Sequence, residues 1–267
     1  MGAILAICGN TIKEGLRNKL FYILLIIGLL FILMGRMCMQ GDVSFNNQSL
    51  TDTQVIALAT TVSFHIIIFW GLTLAGLLSM GAVLGDIETG VITVFISKPV
   101  SRFEYLLGKF FGVMGVVLLN VIVLGCGFFL LAFLRTGIWP FKIFLSLAIY
   151  ILNLMLLVSV VMLVSLISSR IVAMLMGIVG YMFSVGIDIP IYFDALREQM
   201  TAKPAALVLF KIIYFAFPQW GSTQFFAASF LSDLFSQKMS FWPTIHTAGY
   251  IVLVWLVMVL LFNRKEL

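Results

Sequence analysis

The sequence predicts an all-α integral membrane protein with six transmembrane helices, and three observations lead there. Of 267 residues, 62% are hydrophobic and 10% charged, whereas a soluble domain needs about 25% charged residues. Mean hydropathy is +1.16. The apolar residues also fall into long runs, at 20–34, 55–84, 110–134, 144–167, 171–187 and 245–262, separated by polar or charged stretches. Such a chain cannot cover its own surface with polar groups. Soluble functions, nucleic-acid binding among them, are excluded despite a net charge of +5; the excess belongs to the positive-inside pattern of membrane proteins.

Each element has its own justification. Ile4, Leu5, Cys8, Ile12 and Leu16 fall near one face of residues 1–19, while Lys13, Glu14, Arg17 and Lys19 gather toward the end. A basic amphipathic helix of this kind lies in the membrane interface. No small-residue cleavage site follows the first apolar run, so the span at 20–34 is expected to stay uncleaved. Span 55–84 is the longest. Its helix would measure about 45 Å at 1.5 Å per residue, against a hydrocarbon core of about 30 Å, so it should tilt or project. The turn at 168–170 between the fourth and fifth spans is very short. Segment 188–244 contains Pro190, Pro204, Pro218 and Pro243. Its apolar run at 205–217 includes Lys211 and falls short of the ~20 residues a span requires. It reads as an interfacial or re-entrant helix on the outer side. The whole of 1–267 forms one transmembrane domain, without internal repeats.

Six spans place both termini on one side, and basic residues indicate which. Lys13, Arg17, Lys19, Lys98, Arg102, Lys109, Arg170, Arg264 and Lys265 share the side of the termini, in roughly 50 residues. The opposite side carries Arg36, Arg135, Lys142, Arg197, Lys203, Lys211 and Lys238, in roughly 85 residues. The termini and the loop after Asp86 are therefore expected in the cytoplasm.

That loop, 86–109, is the one long charged island in mid-sequence. Ile87, Val91, Val94 and Phe95 recur at helical spacing, predicting a short amphipathic helix over 86–97. Pro99 forces Lys98 out of helical geometry and ends it. Ser101-x-x-Glu104 has capping-box spacing and starts a new helix. A kinked helix pair at a membrane surface is shaped to present a knob to a soluble partner.

Glu88-Thr89-Gly90, then Lys98-Pro99-Val100-Ser101-Arg102 and Tyr105-Leu106-Leu107-Gly108-Lys109, resemble the cytoplasmic loop of ABC transporter permeases of the type-2 export family. The order of spans resembles that family over essentially the whole chain. The loop run is most similar to permeases linked to copper-enzyme maturation. The resemblance implies an N-terminal elbow helix, a cytoplasmic coupling helix at 86–97, and a second permease subunit, most simply an identical one. It also implies a cytoplasmic ATPase subunit that binds the ATP and a multi-pass location in the cytoplasmic (inner) membrane, where the protein meets lipid. On this basis Asp86, Glu88, Thr89, Gly90, Phe95, Lys98, Pro99 and Arg102 are the candidate coupling residues. Glu88 and Gly90 would touch the ATPase, and Lys98 and Arg102 would hold the loop to phosphate head groups. Segment 205–217 would be placed to cover the translocation path.

The chain offers no catalytic, cofactor or metal site of its own. A phosphate-binding loop reads G-x-x-x-x-G-K-[ST]; here Phe110 follows Gly108-Lys109, and Arg102 stands where the first glycine belongs. Cys8, Cys38 and Cys126 lie apart, in no metal-binding spacing. His65, in the second span, is a candidate for the transport path by the default reading of intramembrane ionisable groups. Asn120 and Asn153 read as interhelical hydrogen-bonding residues. Ala75-x-x-x-Ser79 and Gly81-x-x-x-Gly85 read as sites of close helix approach. The expected function is the transmembrane subunit of an ATP-driven exporter. The alternatives are a non-transporting membrane anchor and a secondary carrier, the latter disfavoured because no acidic residue sits at mid-span.

Overall fold

A computed structural model describes residues 2–38, 44–45, 48–49, 52–90, 100–137, 139–192, 204–231 and 240–264. Within a hydrocarbon layer backbone groups must satisfy one another, so apolar runs of this length form helices. In chain order these are α1 (Gly2–Arg17), α2 (Lys19–Cys38), α3 (Asp52–Ala82), α4 (Leu84–Glu88) and α5 (Arg102–Thr136). They continue with α6 (Lys142–Ser165), α7 (Arg170–Tyr192), α8 (Pro204–Ala216), α9 (Trp220–Ser229) and α10 (Trp242–Arg264). Between α2 and α3, Ser44–Phe45 pairs antiparallel with Gln48–Ser49, a two-residue exception to an all-α chain.

Five helical segments are long and apolar enough to cross a membrane: Gln54–Glu88, Arg102–Leu134, Lys142–Ser165, Arg170–Asp188 and Trp242–Arg264. A sixth candidate is the pair α1 and α2 taken as one span, with a bend of 63° at their junction. The bend has a local cause. Asn18 breaks the helix, and its Oδ1 accepts the Leu20 N–H at 3.0 Å, capping α2.

The N-terminal helix is fixed onto the bundle by glycines of α5. A Cβ on Gly108 would stand 2.7 Å from Cβ of Ile7, and one on Gly112 would collide with Thr11. Gly15 answers from α1, where a Cβ would meet Val116 at 2.7 Å. Small residues let the two backbones approach, and Ile7 and Thr11 are buried there.

The core runs through α3, α5 and α6, where Phe64, Ile67, Leu74, Leu124, Leu154 and Leu157 are fully buried. Ala75 and Ser79 pack tightly as expected. Gly81-x-x-x-Gly85 does not: a Cβ on Gly81 would meet nothing within 4 Å, and one on Gly85 only the Arg170 side chain. Those glycines leave open space instead of joining helices.

Segment 188–244 departs furthest from expectation. Helix α8 matches the short apolar run, but a second helix, α9, follows it and is buried at Trp220, Gly221, Ser222, Thr223, Ala227 and Ala228. While α8 keeps Val208, Leu209, Ile212 and Phe215 exposed, α9 packs into the bundle. Its sequence, WGSTQFFAAS, is small and polar because its polar groups find tertiary partners.

Candidate functional site

The sequence expects one helix over 86–97. Helix α4 instead ends at Glu88, Thr89 caps it, and Gly90 adopts φ 72°. A left-handed residue just past a helix end is a glycine C-terminal signal, with the Gly90 N–H donating to the Ile87 carbonyl at 3.2 Å. Up to Gly90 the chain is therefore one short helix closed by glycine, and the periodic positions Val91, Val94 and Phe95 lie beyond it. Residues 91–99 lie outside the described residues, and with them the candidates Phe95, Lys98 and Pro99.

On either side of this apex the chain is braced. Asp86 turns inward, where its Oδ2 lies 2.8 Å from Lys109 Nζ and accepts the Tyr105 hydroxyl at 2.7 Å. Lys109 is only 3% exposed, and Glu14 of α1 approaches its ammonium at 3.8 Å. Burying such a charge is tolerable only because it is paired. Glu88 forms an ion pair with Arg170, the first residue of α7. Arg102 is not directed at head groups alone: its Nη1 donates to the carbonyl of Phe262 at 2.6 Å and of Asn263 at 3.2 Å. A cation at the C-terminus of α10 meets both the unsatisfied carbonyls and the helix dipole, and it lies 5.8 Å from the Phe262 ring centroid.

The start of α5 is set by the expected capping box. Ser101 Oγ accepts the Glu104 N–H at 3.2 Å, and Glu104 accepts the Ser101 N–H at 3.0 Å. One small segment thus ties α1, α4, α5, α7 and α10 together. Thr89 and Gly90 remain exposed at its tip.

His65 sits apart. It is half-buried on α3, and its Nδ1 lies 2.8 Å from the Thr61 carbonyl. It faces an apolar cleft of about 380 Å³ with Phe31, Val62, Phe69 and Trp70. Asn153 performs its expected role, donating to the Trp220 carbonyl at 2.9 Å and so joining α6 to α9. Asn120 is fully buried, and its amide has no hydrogen-bond partner among the described residues.

Sequence reasoning missed a second polar cluster around α9. The N-terminus of α9 has no side-chain cap of its own. Asp188, 1% exposed on α7, supplies one from outside by accepting the Ser222 N–H at 2.7 Å. Ser184 accepts the Trp220 N–H at 3.2 Å, and Thr223 and Thr247 hydroxyls lie 3.0 Å apart. Tyr250 of α10 donates at 2.6 Å to the Ala216 carbonyl, at the end of α8. Polar groups at both ends of the break between α8 and α9 thereby find partners on α7 and α10.

In a comparison with known families, the one described as ABC-2 family transporter protein fits residues 5–267. A search of curated proteins returned no match.

Proposed function

The chain belongs to the ABC-2 transporter family, a multi-pass membrane subunit of ABC transporters, and from that premise we propose that it is the permease of an ATP-driven exporter. Its whole length forms one permease domain. It works as a pair of such subunits, most simply identical, in the cytoplasmic membrane. Both termini and the loop after Asp86 face the cytoplasm, where a separate ATPase subunit binds and hydrolyses ATP. Asp86, Glu88, Thr89, Gly90 and Arg102 belong to the coupling segment, together with Phe95, Lys98 and Pro99.

One observation carries this reading. The exposed apex at Thr89–Gly90 adjoins polar contacts that reach α1, α5 and α7, through Asp86–Lys109–Glu14 and Glu88–Arg170. A push on that apex would reach the N-terminal helix and α7 through these contacts. Within the segment the residues divide their work. Asp86 and Arg102 brace it, while Thr89 and Gly90 offer the surface that a partner can touch. His65 is assigned to the transport path, facing its cleft from α3.

Thr89→Trp tests the proposal. Thr89 is exposed with ordinary right-handed backbone (φ −86°, ψ −4°), so a bulky side chain fits without strain. Co-expressed with its phosphate-loop ATPase partner, the variant should insert normally yet lose co-purification of that ATPase. Full retention of the ATPase and of its activity would overturn the reading.

A further inference from the structure

A cleft of about 530 Å³ lies between the N-terminal helix, the end of α3 and the start of α5. Its lining includes Asp86 and Thr89 of the coupling segment. Its lining is sorted by depth. Asn10 and Glu14 line it from α1, four residues apart on a single helix face, and Asn18 lines it from the break before α2. Asp86, Lys109 and Arg170 line it at the same level, as the Lys109 contacts to Asp86 and Glu14 require. The other walls are apolar: Leu77 and Met80 on α3, Val113 and Val116 on α5. At 1.5 Å per residue these sit about 6–14 Å farther along their helices toward the bundle's middle than Asp86 and Lys109 do.

The space is kept clear by Gly81, where a Cβ would meet nothing within 4 Å. Charge is also exposed here. The Arg170 side chain is 40% exposed beside the contact of its Nη2 with Glu88. Glu14 is 68% exposed at the mouth, and its 3.8 Å approach to Lys109 is long. A partly exposed arginine and a partly exposed carboxylate, each with one protein partner, therefore border the same cleft, over an apolar floor. An arginine suits a phosphate, and a carboxylate suits an ammonium.

We propose that this cleft binds a zwitterionic lipid of the leaflet on the side of the termini. The phosphate is taken by Arg170, the head-group ammonium by Glu14, and the first acyl carbons lie against Leu77, Met80, Val113 and Val116. The proposal does not depend on the identity of the cargo or on the ATPase.

Native mass spectrometry of the purified full chain tests it, with dioleoyl phosphatidylethanolamine and dioleoyl phosphatidylglycerol as probes. The wild type should retain phosphatidylethanolamine at least fivefold better than phosphatidylglycerol, which lacks the ammonium. Gly81→Leu fills the cleft and should lower phosphatidylethanolamine retention at least fivefold. Gly249→Leu, at an exposed glycine of α10 with equally open surroundings, should leave it unchanged. Glu14→Gln should bring the two lipids to near parity. Free phosphoethanolamine at millimolar concentration should not displace the lipid; displacement would mean that the apolar floor is unused and would overturn the lipid assignment. Equal retention of the two lipids by the wild type, or undiminished retention by Gly81→Leu, would overturn the site itself.

Discussion

Lys109 is the residue whose surroundings matter most to the coupling end of the molecule. Its side chain is 3% exposed and its nearest counter-charge is Asp86. Removing one partner of a buried pair costs about 3–5 kcal/mol, because the other charge is left without compensation. Asp86→Ala and Lys109→Met should each lower the unfolding temperature in detergent markedly. The double variant should be more stable than the sum of the two losses predicts; strict additivity would mean that the pair is not a unit. Gly90 calls for a different comparison. Its φ of 72° costs a side-chain-bearing residue roughly 1–2 kcal/mol, least for asparagine. Gly90→Asn should therefore keep more of the ATPase association than Gly90→Val. Equal and complete loss in both would mean that clearance for a partner, and not backbone conformation, selects glycine there.

At the scale of elements, the N-terminal helix depends on α5 for its place. Gly112→Leu would drive a branched side chain into Thr11, so α1 should separate from α5 while the spans still insert. Limited proteolysis should then cut within residues 2–17, where the wild type resists; continued resistance would mean that the glycine contact does not hold α1. This docking is one place where sequence and structure part company. Gly108, Gly112 and Gly115 form a visible small-residue stripe, but sequence alone does not say which helix meets it, and the equally visible Gly81-x-x-x-Gly85 meets none. Local signals were legible. The Ser101–Glu104 capping box spans three residues, and the six apolar runs follow from hydropathy. Contacts between distant residues were not: Arg170 and Glu88 are 82 positions apart, and Asn153 and Trp220 are 67. Helix α9 stayed hidden because its small and polar residues resemble a loop until Asp188, Ser184 and Thr247 are seen to receive them.

At the scale of the whole molecule, two helical segments exceed the bilayer, Gln54–Glu88 with 35 residues and Arg102–Leu134 with 33. Their protruding ends are joined by Asp86 and Lys109, so the bundle carries a rigid extension on the side of the termini. The chain folds back on the other side through α8 and α9, held by Asp188 and Tyr250. A force applied to the extension would reach the far side along α7, which carries Arg170 at one end and Asp188 near the other. Site-specific photocrosslinking tests that account most directly. A photoreactive phenylalanine analogue placed at Thr89, with Phe241 at the opposite end as the control position, would be irradiated in cells that also express the partner ATPase. The account predicts an adduct from Thr89 alone, with a protein carrying G-x-x-x-x-G-K-[ST], whose yield changes when ATP is replaced by ADP in isolated membranes. Absence of that adduct from a correctly inserted Thr89 variant, or its appearance from Phe241, would contradict it.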